Sequence, residues 1–277
     1  AYSAGAILVH PYLDLPNLGS GGLVITNGDM QHAVKLATQL AEGYWEKRFE
    51  LEPQLFKPAE AIQHGLQQNG QVALVETADC CGGGAAGDSV ATIHALLDAR
   101  LTDRSVAPVV DPVAARLCHE AGIGHELTLN IGHSVDSKWG SPIEVTGRVT
   151  QLTSGVFQYE AGIWDGRRAE MGPAALTQVG SLQLCVATHA TYEWCGEQMK
   201  SMGIATEDAH FVVAKNPMNY SMAFPKAQTV YVLDTPGPTP ATLRHAPFSK
   251  LQRPYFPLDD DIPNLQPTII QGRNPSV

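Results

Sequence analysis

Residues 71–89 read QVALVETADCCGGGAAGDS, and this stretch decides the fold class of the chain. Its first seven residues, QVALVET, form an apolar run with the length of one buried β-strand. Residues 78–89, ADCCGGGAAGDS, form a glycine-rich loop, and residues 90–99 then place Ile93, Leu96 and Leu97 on one helical face. A buried strand, a loop and a helix in this order predict an α/β protein with parallel strands.

The same alternation of strands and helices extends to both sides of this stretch. Residues 23–26 (LVIT) predict a buried strand, and residues 30–49 repeat apolar side chains at helical spacing behind Asp29, the predicted N-cap. Asp111-Pro112 is typical of a helix start. The pattern predicts further strands at 106–110, 210–214 and 229–233, and further helices at 59–68, 112–121 and 197–203.

The middle and the end of the chain follow different patterns. Residues 125–131, 143–152, 155–162 and 177–188 predict four successive strands with no helix between them, which favours antiparallel pairing. Ten of the 19 prolines fall from Pro225 onward. The predicted fold class is therefore α/β: a mixed sheet with parallel strand–helix units, an antiparallel β section, and an extended proline-rich C-terminal tail.

Composition excludes some classes of partner. The formal net charge is -10, no Lys or Arg precedes Lys35, and no basic cluster follows, so we expect no nucleic-acid partner. No apolar run approaches the roughly 18 residues of a membrane span, so we expect no membrane partner. The first residues lack a basic signal-peptide region and an initiator Met, which we interpret as the middle of a larger protein.

The cysteines indicate the compartment. There are five of them, an odd number without a C-x-x-C spacing, which is a poor disulfide framework. We therefore predict reduced thiols and a cytoplasmic location. Cys81 lies in the glycine loop, and a thiol enzyme that uses it as nucleophile is one alternative, although no adjacent base is visible in the sequence.

The glycine loop is the strongest candidate for a binding element. Its glycines permit positive φ and close backbone approach, and successive amides in such a loop can cradle an anion at the carboxyl end of a strand. No Lys-Ser/Thr pair follows the loop, so it is not a nucleotide-binding P-loop. Lys215, at the end of the strand predicted at 210–214, is expected either to reach into a cleft and neutralise an anionic ligand or to lie at an exposed strand end. The predicted binding residues are Asp79, Gly82, Gly83, Gly84, Gly87, Asp88, Ser89 and Lys215, with Asp88 or Ser89 also capping the next helix.

A metal site is only weakly indicated by spacing. Ten histidines are present, but no H-x-x-x-H or H-E-x-x-H pair occurs. His10, followed by Pro11 and then by Asp14, lies in a rigid loop after an apolar stretch and is the candidate metal ligand.

Several stretches, taken in order, resemble the MlrC family of microcystinase-like metallopeptidases. Residues 10–16 (HPYLDLP) with Gly19 are similar to the family's HPW-x-DVP…G element, and residues 76–89 to its DNPGGGAPGDS loop. Residues 111–124 are similar to its DPeAv…AGvG segment, and residues 212–215 to its vvvKS segment. The ending RP-x-x-PLD is present at 253–259, so the resemblance covers essentially the whole chain.

The resemblance implies a function and a division of the chain. It implies a zinc-dependent hydrolase of peptide-like amide bonds, in which zinc lowers the pKa of a bound water, acting on a small peptide or amide substrate. His10 would be the one zinc ligand retained here, and an upstream N-terminal part of the same protein would supply the others. The chain alone would then be incomplete as an enzyme. The implied division is 1–69, the end of a metal-binding α/β domain; 70–234, the C-terminal domain; and 235–277, a tail packed on the body.

Four departures from the family pattern limit how far its activity can be transferred. Cys80-Cys81 replaces Asn-Pro, Ala86 replaces Pro, Asn216 stands in place of Ser, and Asn219-Tyr220 in place of His-Phe. The alternative from a different functional class is a noncatalytic binding or regulatory domain, in which the glycine loop holds an anionic small molecule. Formation of a homo-oligomer is left open.

Overall fold

The computed structural model describes residues 1–160, 164–192, 196–262 and 267–272, and the chain forms two compact units. The first unit comprises residues 1–53 and 242–277, and the second comprises residues 54–241. The domain division that the resemblance implies stays a prediction. Among the described residues, no helix combines the length and the apolar character needed to cross a membrane.

The first unit begins with a two-stranded ribbon. Strands β1 (Ser3–Ile7) and β2 (Gly21–Ile25) pair antiparallel, and helix α1 (Met30–Glu46) packs on them. The side chain of Asp29 accepts a hydrogen bond from His32 N at 2.9 Å, which confirms the predicted N-cap. The prediction of a buried strand at 23–26 is wrong in its burial, since Leu23 and Ile25 are 52% and 51% exposed. A ribbon of two strands packs one face on the helix and leaves the other outward.

The tail of this unit is held to its N-terminal loop by one carboxylate. Asp14 accepts hydrogen bonds from Ser249 N and Oγ, Lys250 N and Leu251 N at 2.8–2.9 Å. These bonds, with that from Ser249 N the strongest influence, lower the pKa of Asp14 to about 2. The described residues from 235 onward contain no helix or strand, as predicted for an extended tail.

The second unit is built on a nine-stranded mixed sheet. Its strands in spatial order are β3 (Leu55–Phe56), β13 (Ala227–Leu233), β4 (Gln71–Val75), β12 (Phe211–Ala214), β5 (Ser105–Val110), β11 (Leu182–Ala187), β10 (Ala174–Val179), β7 (Ile143–Thr153) and β6 (Glu126–Ile131). The first six are parallel to their neighbours, and β11, β10, β7 and β6 follow one another antiparallel. The predicted mixed α/β fold class is confirmed.

Both faces of the sheet are covered. The helices of this unit are α2 (Pro58–Gly65), α3 (Ala91–Asp98), α4 (Pro112–Ala121), α5 (Glu197–Ser201) and α6 (Tyr220–Ala223). On β4, Val72 and Leu74 belong to a core that includes residues of α2, α3 and α4, whereas Ala73 and Val75 belong to a second core on the opposite face. Burial on both faces explains why this strand is an uninterrupted apolar run.

The antiparallel section differs from its prediction in two places. Residues 177–188 form a hairpin and not one strand, because Gly180 (φ 58°) turns the chain between β10 and β11. In the 155–162 region, β8 (Val156–Gln158) pairs only with β9 (Arg168–Glu170) in a separate two-stranded sheet, and residues 161–163 lie outside the described chain.

One edge of the sheet gathers the ends of four parallel strands. β4, β12, β5 and β11 are adjacent and parallel, so the residues that follow them, Glu76, Lys215, Asp111 and Thr188, lie along the same edge. Ligands of open α/β sheets bind at the carboxyl ends of strands. The glycine loop follows β4 at this edge.

Candidate functional site

The glycine loop folds back on itself before α3 begins. Two short 3-10 turns, Thr77–Asp79 and Cys81–Gly83, follow β4. The amides of Gly83, Gly84 and Ala85 donate to the carbonyls of Cys80 or Cys81 at 3.0–3.1 Å. Gly84 has a φ of 94°, a conformation that glycine adopts without strain. Gly82, Gly83 and Gly84 are exposed and form the outer rim of the loop, whereas Gly87, Asp88 and Ser89 are buried.

The carboxylate of Asp79 occupies the centre of the loop. Asp79 is 3% exposed, and its two oxygens accept hydrogen bonds from Gly87 N at 2.8 Å and Ser89 N at 2.7 Å. These amides were predicted to cradle an anion, and here the anion is a side chain of the same chain. The alternative of an anionic small molecule in the loop therefore gains no support from these two amides.

Lys215 completes this buried network. Its Nζ donates to Asp79 Oδ2 at 2.7 Å, to Ser89 O at 2.7 Å and to Gly87 O at 3.1 Å. Lys215 and Asp79 are buried to the same degree, and their ion pair joins the end of β12 to the loop after β4. The structure thus brings four predicted binding residues into one cluster, Asp79, Gly87, Ser89 and Lys215, and their predicted contact with substrate stays a prediction.

Glu76 lies beneath the same cluster and was not predicted as a site residue. Its carboxyl accepts a hydrogen bond from Ser89 Oγ at 2.8 Å and lies 3.9 Å from Lys215 Nζ. Burial raises the pKa of Glu76 above its usual value despite the attraction of Lys215. Burial by itself would lower the pKa of Lys215, but Glu76 and Asp79 together raise it. The ammonium group therefore stays charged at neutral pH.

The predicted cap of the next helix is corrected by the structure. The N-cap of α3 is Val90, not Asp88 or Ser89. The Asp88 carboxylate instead accepts hydrogen bonds from Val135 N and Asp136 N, both at 2.8 Å, and so fixes the loop after β6. Ser89 Oγ donates to Glu76 Oε1 at 2.8 Å and also accepts from Ala91 N, the first residue of α3, at 3.4 Å. The shorter side-chain hydrogen bonds of Asp88 and Ser89 go to partners 13 or more residues away in sequence, which a local capping pattern does not reveal.

Two other side chains hold the surroundings of the loop. Asp111 caps α4 as predicted, accepting from Val113 N and Ala114 N, and its second oxygen accepts from Gly132 N at 2.9 Å. Thr239 Oγ1 donates to Thr77 O at 2.8 Å and accepts from Cys80 N at 3.2 Å. Thr239 comes from a proline-rich segment, and no sequence signal linked it to the loop.

Two depressions are bordered by residues of the loop. One is shallow and is lined by Asp79, Asp88 and Ser89 of the loop, by His133, and by residues 236–238. The other is a cavity of about 40 Å³ at the strand ends, lined in part by Cys81, Gly87 and Lys215. Residues predicted from sequence therefore border both depressions.

A metal ion does not fit the described residues by themselves. No group of three or more His, Cys, Asp or Glu side chains in that part of the chain is arranged to hold one. His10 is exposed, and its ring lies edge-on to Tyr12 with the centroids 5.5 Å apart. Asp14, four residues on, is committed to the tail. A structural or catalytic zinc site needs three or four protein ligands, so His10 is one donor at most.

Comparisons with known proteins match the chain to one family model and to two similar proteins. Residues 74–250 match the family model described as MlrC C-terminus. Microcystinase C from Sphingomonas sp. is 26% identical over 259 residues, which are 89% of this chain and 48% of that protein. A crystal structure from Mesorhizobium sp. BNC1, of a protein provisionally described as a metallopeptidase, superposes with a TM-score of 0.80 at 26% identity. That match covers 96% of this chain and 52% of the other, so the chain spans about half the length of these relatives.

Proposed function

The chain belongs to the MlrC family through its C-terminal domain, and from this premise we propose that it is the carboxyl-terminal portion of a zinc-dependent hydrolase of peptide-like amide bonds. The family match carries the proposal, because residues 74–250 contain the glycine loop and Lys215. One relative is named a microcystinase and the other is described as a metallopeptidase. The substrate we propose is a small peptide or amide.

The loop supports this function as a rigid wall of the substrate site. The Asp79 carboxylate and the Lys215 ammonium group make their hydrogen bonds to the loop and to each other, so we assign both residues positioning roles. On the exposed rim, Gly84 is the part that a substrate backbone can approach closely, because the space where its side chain would stand is open, whereas Gly82 packs on Tyr192 and Gly83 on Thr239. Peptide-like substrates present N–H groups, and a backbone carbonyl at the rim can accept from them. The amides of Gly83 and Gly84 already donate within the loop.

Zinc is the proposed cofactor, with His10 as a candidate ligand. The described residues do not complete a site, so this proposal assigns the remaining ligands to an N-terminal part of the same protein, as an intramolecular partner. A metal bound in that way depends on both parts. We propose a cytoplasmic location on the ground of the odd number of cysteines.

Peptide cleavage by the product of the complete gene tests the proposal. The protein is incubated with a mixture of short linear and cyclic peptides, and new amino termini are detected by mass spectrometry. We expect cleavage that a chelator abolishes and that added zinc restores. A product that cleaves none of the peptides with zinc present, or that cleaves equally well after chelation, contradicts the proposal.

A further inference from the structure

The first unit lacks a buried core of its own. Residues 1–53 all lie in the described part of the chain, and none of them is buried. Helix α1 has 17 residues and packs on the ribbon of β1 and β2, yet it has no buried side chain either. Among the other described residues of the unit, Leu251 alone is buried. A two-stranded ribbon is marginally stable by itself, because apolar burial is the main stabilising contribution to folding.

Large apolar side chains are concentrated on the surface of this segment. Half of the exposed large apolar side chains of the described chain lie within residues 1–53, although these are only 53 of 277 residues. Single exposed apolar side chains are normal on a protein surface, whereas a concentration of them marks an interaction surface. The segment therefore has the surface of an element that packs against something else.

Helix α1 covers one face of the ribbon. A Cβ at Gly22 of β2 would lie 2.6 Å from Ala37 O and 2.8 Å from Leu40 Cβ, so Gly22 faces the helix. Successive side chains of a strand point to opposite faces, so Leu23 and Ile25 lie on the face away from α1. Their exposed fractions are 52% and 51%, which shows that this second face is uncovered.

The second face, here called the open face, is formed by Ile7, Leu23 and Ile25 across both strands. Residues paired directly across two antiparallel strands lie on the same face, and Leu23 stands opposite Gly5 while Ile7 stands opposite Gly21. Ile7 is 46% exposed, and a Cβ at either glycine would meet nothing within 4 Å. Neither strand has a charged residue. The open face is thus apolar, and no described residue lies over its glycines.

We propose that the open face is a docking surface for an apolar face of the N-terminal part of the same protein, upstream of Ala1. The chain spans about half the length of its relatives, so the remainder of a relative is large enough to form a domain. β1 begins at Ser3, so the upstream part is tethered beside the ribbon. Such a tether gives an effective concentration on the order of millimolar, which favours this occupant over a second copy.

This interface and the proposed function both rest on an upstream part, but the interface needs neither zinc nor turnover. Its test can therefore be carried out with a chelator present. A protected open face in a protein without zinc would support the interface and contradict the hydrolase. An unprotected open face in a protein that cleaves peptides would contradict the interface alone.

Cysteine labelling of the complete gene product measures whether the open face is covered. The variants are Leu23→Cys and the control Ile123→Cys, which lies in the turn after α4 and is 61% exposed. The reaction of each new thiol with N-ethylmaleimide is followed by peptide mass spectrometry. We expect Leu23→Cys to react about tenfold more slowly than the control, because labelling of a covered site needs a local opening. Equal rates overturn the proposal.

Ser3→Cys covers the case in which Leu23→Cys does not fold. Ser3 is exposed and stands opposite Ile25, so it lies on the open face, and the substitution changes one oxygen to sulfur. We expect the same protection relative to Ile123→Cys. A thiol at position 3 that reacts as fast as the control contradicts the docking of any partner on this face.

Photo-crosslinking identifies the occupant. The complete gene product is made with photo-leucine, a diazirine analogue of leucine, and isotope-labelled copies are mixed with unlabelled ones. We expect peptides containing position 23 to be joined to residues upstream of Ala1 within one copy. Cross-links between a labelled and an unlabelled copy would show a second copy on the open face, and reaction with water alone would show an uncovered face. Either result overturns the proposal.

Discussion

Lys215 and Asp79 are the residues that hold the glycine loop to the sheet. Both are nearly inaccessible to solvent, and they join the end of β12 to the loop after β4 at 2.7 Å. Removing two charges from water costs several kcal/mol per ion, and here it is offset by two loop amides on the carboxylate and two loop carbonyls on the ammonium. The buried ion pair is therefore stable only when both side chains are present, since removal of one leaves the other as an unpaired buried charge.

Lys215→Met should therefore destabilise the second unit strongly. It leaves Asp79 buried without its cation, and we expect a loss of about 3–5 kcal/mol in the free energy of unfolding, measured by chemical denaturation. Lys47→Met is the matched control, because Lys47 and Glu50 form an exposed ion pair at 3.1 Å. We expect the control to cost less than about 1 kcal/mol. Equal effects of the two substitutions would show that the buried pair does not hold the loop.

The glycine loop, as an element, is shaped by close approaches to its neighbours. A Cβ at Gly82 would overlap the ring of Tyr192, and a Cβ at Gly87 would lie 2.6 Å from Cys81 Sγ. By contrast, Gly43 in α1 has open space around it and an ordinary φ. The same substitution should therefore act in opposite directions at Gly82 and Gly43.

Gly82→Ala should destabilise the second unit by about 1–3 kcal/mol, because the Tyr192 ring must move. Gly43→Ala should stabilise α1 by up to about 1 kcal/mol, since alanine has the higher helix propensity. Thermal unfolding of both variants, followed by circular dichroism, measures the two shifts. A neutral Gly82→Ala would mean that Tyr192 does not pack on the loop.

The attachment of the tail in the first unit should depend on pH, because it is made by the carboxylate of Asp14. Asp14 has a pKa of about 2 in the folded chain against 3.8 for the unconstrained carboxyl, so its contribution to stability is present above about pH 3.8 and is lost as the pH falls toward 2. We expect the amides of Lys250 and Leu251 to lose hydrogen-exchange protection in that interval. Asp14→Asn should weaken their protection and remove its pH dependence, whereas Asp103→Asn, an exposed control in the second unit, should keep it. If Asp14→Asn leaves the hydrogen-exchange protection of these amides unchanged, the Asp14 carboxylate does not hold the tail.

Local patterns predicted the elements better than the site. The apolar run of β4 and the helix caps at Asp29 and Asp111 depend on residues close in sequence, so the sequence alone predicted them correctly. The site depends on contacts such as that of Lys215 with Asp79, 136 residues apart, and of Thr239 with Thr77, 162 residues apart. The sequence pattern placed Glu76 at the end of a strand. Its burial follows from the packing of β12 beside β4, which the local pattern does not show.

At the scale of the whole molecule, the described residues include the glycine loop at the strand ends but no complete metal centre. The chain spans about half the length of its relatives, and His10 is a single exposed donor. We therefore propose that the chemistry takes place between this chain and further metal ligands of the same protein. Metal-dependent hydrolysis would then extend to this chain despite Cys80-Cys81 in the loop.

The zinc content of the purified protein is the decisive measurement for metal-dependent hydrolysis. The product of the complete gene, purified without chelator, is analysed by inductively coupled plasma mass spectrometry, alongside His10→Ala and the control His94→Ala, an exposed histidine on α3. We expect stoichiometric zinc in the wild type and in His94→Ala, and a clear loss of zinc in His10→Ala. A wild-type protein without stoichiometric zinc would contradict the proposed metal-dependent hydrolysis, and full zinc retention in His10→Ala would remove His10 from the metal site.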